Sequence, residues 1–453
     1  MKNAQLIQRP VAQRSDGSAR LFVVALFIYL LIAPLLSTWK VPAVVVIGAY
    51  GSALAVLVTL AYRLQIVRGK PHWPTATLAL LMTALILLAG LYGSRYGAEI
   101  SRGTALNATA YLIIIVLASS PLLFLARSFA SESPVAYVAD GLFSALALLC
   151  ALQLMMVLLG VGNPMAASLP QIDREAVFAR YFGFGTTRIM LPLSSAFQAG
   201  GVVPLITGVM AISRLARGRI AVNLSVFVLA FTLLLFLDAQ QFILALAVVA
   251  VLSWRNIGPT ALGLAAALAP WFYIVIITFV VDLLPSLSDI ANLRGANQFG
   301  LFTGRQFIWG AFWDYFSQAS VSQIIFGNGL VGQATAGISY GYSIMFGLWP
   351  AETRVQVPLH NSYLQTMADM GLIGLCALMA LLYTATYRAA LLGRMDRPEA
   401  GSWRGIALGI VALSTVAASE VALTVYMKEA AAIIVVLVGS VAWFGGRTGD
   451  ARK

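Results

Sequence analysis

Cysteine and histidine are nearly absent: two of each in the whole chain. Cys150 and Cys376 both lie inside apolar runs, which argues against a disulfide framework and against a cysteine-based metal site. With so few histidines and with scattered carboxylates, no metal-ligand cluster stands out, so neither a metal nor another cofactor is expected. Phosphate-cradling and nucleophile-elbow motifs are missing too. There is no P-loop, no Rossmann glycine pattern and no G-x-S-x-G. No repeat of fixed period and no low-complexity segment occurs. Charge is also scarce, at 10% of residues.

What fills the chain is apolar. Hydrophobic residues make up 60%, well above the roughly half that soluble domains carry. Apolar runs long enough to cross a bilayer core of about 30 Å as helices recur from end to end. The reading is an all-α polytopic membrane protein of about 12 transmembrane helices. The spans fall near 21–37, 41–62, 75–92, 104–126, 135–160, 190–212, 220–236, 240–253, 259–282, 363–387, 404–423 and 429–445. The seventh and eighth are short, with Asp238, Gln240 and Gln241 around their junction.

The formal charge of +12 is read through those loops and not as a sign of nucleic acid. An inside N-terminus makes the loops carrying Arg63, Arg68 and Lys70, Arg214, Arg217 and Arg219, and Arg388, Arg394, Arg397 and Arg404 cytoplasmic, as the positive-inside rule requires. Residues 1–20 then form a cytoplasmic tail, 21–282 hold the first nine spans, 363–445 the last three, and 446–453 a second cytoplasmic tail. The run after residue 20 has no convincing small-x-small cleavage site and is read as an anchor. Two long polar insertions, about 161–189 and 283–362, face outward. The second is far longer than a connector needs, and such loops are usually functional. Arg174, Arg180, Arg188, Arg294, Arg305 and Arg354 concentrate there against the general bias, which points to an anionic partner on the outer side.

Two helix starts are visible in the long insertion. In TGRQFIWGAFWDYF, Thr303 and Gln306 have capping-box spacing, and Phe307, Phe312, Tyr315 and Phe316 form an apolar stripe. This predicts an amphipathic helix on the membrane or on the spans, with Arg305 in its first turn, where a cation opposes the helix dipole. In VPLHNSYLQTMADMGLIGL, Pro358 stops any helix from upstream, and Ser362 with Gln365 repeats the box pattern, so Ser362 is the expected N-cap. His360 lies just ahead of that positive helix end, which helps keep the imidazole neutral, as a general base must be. The bland alternatives are a solvated arginine and an interfacial histidine bonded to a backbone carbonyl. Asp369 sits about two turns into the helix and is expected to face a cavity or a partner such as an arginine. Gly371 and Gly374 are read as close helix packing. His72 reads as an interface residue.

The segments LFTGRQFIWGAFWDYF, IIFGNGLVG and LHNSYLQTMADMGLIGL together resemble the membrane family of O-antigen ligases and O-antigen polymerases. The matching positions are Gly304 and Arg305 with Trp309, Gly327 and Gly329, His360 and Asn361, and Asp369 with Gly371 and Gly374. The match covers about 75 residues. Glutamate is usual where this chain has Asp369. ARYFGFGTTR offers Arg180 or Arg188 for the family's outer-loop arginine, and Asp238, Ala239 and Gln240 replace the usual Ser-Arg pair.

The resemblance implies a C-type glycosyltransferase-like fold in the bacterial inner membrane, with a large, partly helical periplasmic catalytic loop. It implies an undecaprenyl-diphosphate-linked glycan as donor and metal-independent, inverting transfer to lipid A–core. Arg305, with Arg180 or Arg188, would hold the diphosphate, His360 would be the base, and Asn361, Ser362 and Asp369 would support the helix start. Trp313, Tyr340 and Tyr342 would stack on sugars or anchor the interface. A polymerase extending a growing lipid-linked polysaccharide is the alternative, and a transporter of about twelve spans is a further one.

Overall fold

The structure is a computed structural model that describes residues 16–61, 71–129, 133–166, 189–215, 220–283, 305–346 and 350–446. It is 80% helical, and no strand occurs among the described residues. The long helices are α1 (Asp16–Ser37), α2 (Ala43–Ala61), α3 (Trp73–Tyr96), α4 (Glu99–Phe129), α5 (Pro134–Leu158), α6 (Val202–Leu215), α7 (Ile220–Leu237), α8 (Gln240–Trp254) and α9 (Pro259–Leu283). The 305–361 region contributes α10 (Arg305–Gln318) and three short pieces, α11 (Val321–Phe326), α12 (Gly332–Thr335) and α13 (Ala351–Val355). It is followed by α14 (Ser362–Leu392), α15 (Ala400–Val416) and α16 (Lys428–Phe444).

One helix answers to each expected span. Seven stretches are long and apolar enough to cross a membrane by length and composition, and four shorter apolar helices accompany them. Two helices fall well short of the expected spans, while others extend a few residues beyond them. The sixth span opens with non-helical chain before a 3-10 turn at Gln198–Gly201, and α6 starts only at Val202. The eleventh ends at Val416 and not near 423, so 417–427 is an irregular stretch between two helices.

Helices α6 and α15 form the centre, where most side chains from Val202 to Ser213 and from Ser402 to Val416 are buried. On the outside, Val44, Val45 and Ile47 of α2, Leu80, Leu88 and Leu91 of α3, and Leu106, Ile113 and Leu117 of α4 are exposed. Apolar faces of that extent are what a lipid-facing bundle presents.

The helix ends sort into two groups. At one end Arg388 donates to Gly445 O (2.6 Å), Arg394 to Asn256 O (2.6 Å) and Arg404 to Ser253 O. Arg214 pairs there with Asp140 at 2.5 Å and lies over the Phe143 ring. The His72 amide bonds Ala442 O, and its Nδ1 meets Thr75 Oγ1 at 2.8 Å. At the other end lie the 189–201 segment, α10 to α13, residues 356–361 and the 417–427 stretch.

Within α14 the helix breaks at Gly371, which has φ +64°. The break leaves the carbonyls of Ala368 and Asp369 to outside donors, and the amides of Asn328 and Gly329 bond them at 2.9 Å each. Gly327 and Gly329 both have positive φ, so the glycine turn seen in the sequence is a clasp around this break. A Cβ on Gly371 would lie 2.3 Å from Ile325 O. The expected close packing at Gly371 is present, against the Ile325–Phe326 backbone, and its positive φ adds a second requirement for glycine.

Candidate functional site: a carboxylate between an arginine and a histidine

Helix α10 begins at Arg305. Its stripe is rotated from the expected one, because Phe307 is exposed while Ile308, Trp309 and Phe312 are buried. Burying Trp309 positions more than its own ring, since its indole N–H donates to Leu359 O at 3.0 Å. The Leu359 amide in turn donates to Gln365 Oε1 at 3.0 Å.

On the other side of His360, Asn361 Oδ1 accepts the amides of Tyr363 (2.9 Å) and Leu364 (3.1 Å). Asn361 is therefore the N-cap of α14, and the assignment of Ser362 is corrected by one residue. Asn caps as well as Ser does, and here Ser362 is occupied elsewhere: its hydroxyl donates to Glu420 O and accepts from the Leu423 amide, both at 3.0 Å. Gln365 bonds the Leu359 amide instead of completing a box. The Asn361 amide group donates to Pro270 O (3.2 Å) and Ala418 O (2.9 Å).

His360 is thus held between two clamped neighbours, and its backbone adopts φ +51°, a conformation unusual for a non-glycine residue and often found at functional sites. Its Nδ1 lies 3.2 Å from Glu420 Oε2. Arg305 reaches the same carboxylate, with Nη2 donating to Oε1 at 2.7 Å and Nε donating to Ser419 O at 3.1 Å. Gln241 also donates to Oε1 (3.3 Å) and to Gln198 Oε1 (2.7 Å). Side-chain exposure is 3% for Glu420, 14% for Arg305 and 24% for His360. The carboxylate is hidden, and the histidine partly faces out.

The electrostatics follow from this geometry. Burial pushes the Glu420 carboxyl up, but the His360 and Arg305 charges and hydrogen bonds outweigh burial and hold it below its ordinary value. An ionised carboxylate has no proton to offer, so Nδ1 carries the hydrogen of the shared bond. In the neutral imidazole the lone pair then lies on Nε2, for which the described residues provide no hydrogen-bond partner. A carboxylate-oriented imidazole with one open nitrogen is suited to taking a proton.

Asp369 is a different kind of acid. Oδ1 accepts from the Gly332 amide (2.8 Å) and Gln365 Nε2 (2.9 Å), and Oδ2 accepts from Tyr426 Oη (2.9 Å). The expected partners are thus amide, phenol and backbone donors, and among the described residues no arginine pairs with it. Gln365 continues to Gln333 (2.7 Å), whose amide bonds Gln356 O (3.1 Å). Through Gln365, whose Oε1 accepts the Leu359 amide, this network braces the segment that carries His360.

Sequence reading missed Glu420 and Gln241. Glu420 sits in AASEVAL and was absorbed into the end of a span, although an ionisable residue in an apolar run is itself a signal. Gln241 sits beside the replaced pair at the junction of the short helices and makes the contact from there. Tyr342 is corrected: it is buried in the core and donates to Val357 O at 2.7 Å, so it does not face sugars. Trp313 and Tyr340 are exposed. Arg174, Arg180, Arg188, Arg294 and Thr303 lie outside the described residues, as does the side chain of Gln306. Among the described residues no group of three or more His, Cys, Asp and Glu side chains is arranged for a metal.

A cavity of about 780 Å³ lies at the opposite end of the bundle between Arg20, Tyr137, Asp140 and Glu399, away from this trio. No protein-family model and no curated protein matches the chain.

Proposed function

We propose that the chain is a membrane glycosyltransferase of the O-antigen ligase or polymerase type. It takes a glycan from undecaprenyl diphosphate and passes it to an acceptor hydroxyl. In this reading all twelve helices cross a bacterial inner membrane, both termini are cytoplasmic, and the Arg305–Glu420–His360 end faces the periplasm in a C-type glycosyltransferase-like fold. The observation that carries the reading is the joining of Arg305 and His360, 55 positions apart in the chain, by one buried carboxylate.

The chemistry is a single displacement. The acceptor oxygen attacks the anomeric carbon, its proton passes to His360 Nε2, and the bond from that carbon to the diphosphate oxygen breaks on the opposite face. Configuration therefore inverts. Negative charge develops on the leaving diphosphate, and Arg305 supplies fixed positive charge beside the base. Glu420 holds the imidazole by Nδ1 and stabilises it once protonated, the role a carboxylate plays in hydrolase triads. Arg180 or Arg188 is assigned to the diphosphate on the resemblance alone.

Ligase and polymerase share this step and differ in the acceptor. The test is a product assay with purified protein in detergent, EDTA and an undecaprenyl-diphosphate-linked glycan, offered either lipid A–core or more donor. A single shift of lipid A–core identifies a ligase, and a ladder on the lipid donor identifies a polymerase. Absence of product with every acceptor would favour the transporter alternative.

A further inference from the structure

Glu420 is gripped by a third side chain to which the transfer chemistry gives no task. Gln241 Nε2 donates to Glu420 Oε1 at 3.3 Å and to Gln198 Oε1 at 2.7 Å. The backbone around this contact is built for it. Gln241 is the second residue of α8, just past the sharp turn at Asp238, whose φ is +48°. Gln198 opens the 3-10 turn ahead of α6. Gly201 of that turn lies against the fully buried Phe242 ring, and a Cβ there would come within 2.8 Å of it. The Ile189 amide donates to Phe236 O at 3.0 Å and ties the start of the 189–201 segment to the end of α7. The two glutamines meet because a glycine lets the turn close on the start of α8.

Chemistry sets their orientation. An ionised carboxylate only accepts, so Gln241 presents its nitrogen to Glu420, and its other hydrogen goes to the Gln198 carbonyl. With both hydrogens committed, the amide does not turn its oxygen toward the carboxylate. Glu420 Oε1 thus receives two donors, Arg305 and Gln241, while among the described residues Oε2 meets His360 alone. Glu420 sits in the irregular 417–427 stretch, where no helix stiffens its backbone. Two donors on Oε1 oppose the rotation that would exchange the oxygens, and so they keep Oε2 opposite Nδ1. The grip from Gln241 is also uncharged, so it adds no cation to compete with Arg305 for an anion.

We propose that Gln241 is a positioning residue for the base. It acts through Glu420, fixing Oε1 so that Oε2 holds the imidazole in its Nδ1–H tautomer, and Gln198 fixes Gln241 in turn. The kinetic consequence rests on the transfer reading, whereas the effect on the His360 ring does not.

Two readouts on the full-length protein in detergent test it. The chain has only two histidines, so nitrogen NMR of histidine-labelled protein at alkaline pH resolves the His360 ring, and His360→Ala assigns its signals. In Gln241→Met those signals should move from the Nδ1–H tautomer toward the average of the two tautomers. Glycan transfer should fall by about tenfold in Gln241→Met, but by less than about twofold when the same change is made in Glu420→Gln, where the base is already unheld. Gln198→Met should shift both readouts in the same direction by a smaller amount, and matching thermal midpoints show that the variants are folded. An equal fold loss in both backgrounds would mean that Gln241 acts through packing and would overturn the proposal. His360 signals unmoved in Gln241→Met would overturn it as well. A tautomer shift in a protein that transfers no glycan would keep the role of Gln241 and sink the transfer reading.

Discussion

Glu420 accepts from Arg305 Nη2 at 2.7 Å through one oxygen and meets His360 Nδ1 at 3.2 Å through the other. One side chain thus fixes the cation and the base of the proposed reaction relative to each other. The two come from separate helix starts and would otherwise be independent.

Replacing Glu420 by Gln keeps the shape but lets the amide present a donor to Nδ1. The imidazole can then hold its proton on Nε2, where it is no longer a base. Transfer should fall by about 10²-fold or more, the usual size of a general-base contribution, while the protein remains inserted. Initial rates of glycan transfer check this, and a rate within twofold of native would remove Glu420 from the mechanism.

Arg305→Lys keeps a positive charge but loses the planar fork that spans Ser419 O and Glu420. The expected loss is at least about tenfold in kcat/KM. Near-native kinetics would mean that Arg305 serves only to anchor α10.

Stability should carry the signature of a depressed carboxyl. Glu420 lies below its ordinary value of 4.5, so it binds protons less readily folded than unfolded. Its contribution is therefore fully present above that value and is lost as pH falls below it, through the folded value. The difference in thermal midpoint between native protein and Glu420→Gln should be constant at neutral pH and shrink below about pH 4.5. A difference that grows on acidification would contradict the assignment.

Gly371→Ala tests the helix break. The new Cβ would meet Ile325 O at 2.3 Å with the backbone at φ +64°. Strain of this kind costs on the order of 1–3 kcal/mol. Thermal unfolding in detergent should show a clearly lowered midpoint, and an unchanged midpoint would mean that the Ile325–Phe326 backbone yields.

Asn361→Asp separates two jobs of one side chain. The cap survives because a carboxylate still accepts from Tyr363 and Leu364. The donors to Pro270 O and Ala418 O disappear, leaving buried carbonyls without them, which costs about 1–3 kcal/mol. Asn361→Ala should be worse still in the same assay, because the cap is lost as well.

Much of this was legible because certain side chains are conspicuous in an apolar chain. Arg305 and His360 stood out for that reason, and the structure brings them to one carboxylate. The helices followed from apolar run length. What escaped was the partner: Glu420 lies in a run hydrophobic enough to be read as the end of a span, whereas the chain leaves helix at Val416. The cap was displaced by one residue because Ser362 and Gln365 match a box by spacing alone, and only tertiary contacts show both engaged elsewhere. For Asp369 a partner was expected but its identity was not legible, because a buried carboxylate is satisfied as well by enough neutral donors as by an arginine. Tyr342 was misjudged because an aromatic ring in a polar loop carries no sign of which way it faces.

The most direct test compares native protein with His360→Ala for release of undecaprenyl diphosphate from a glycan-loaded donor, in EDTA, with acceptor present. The account predicts release coupled one-to-one to glycan transfer in the native protein, and a rate lower by about 10²-fold or more in the folded, membrane-inserted variant. An unchanged rate in His360→Ala would contradict it.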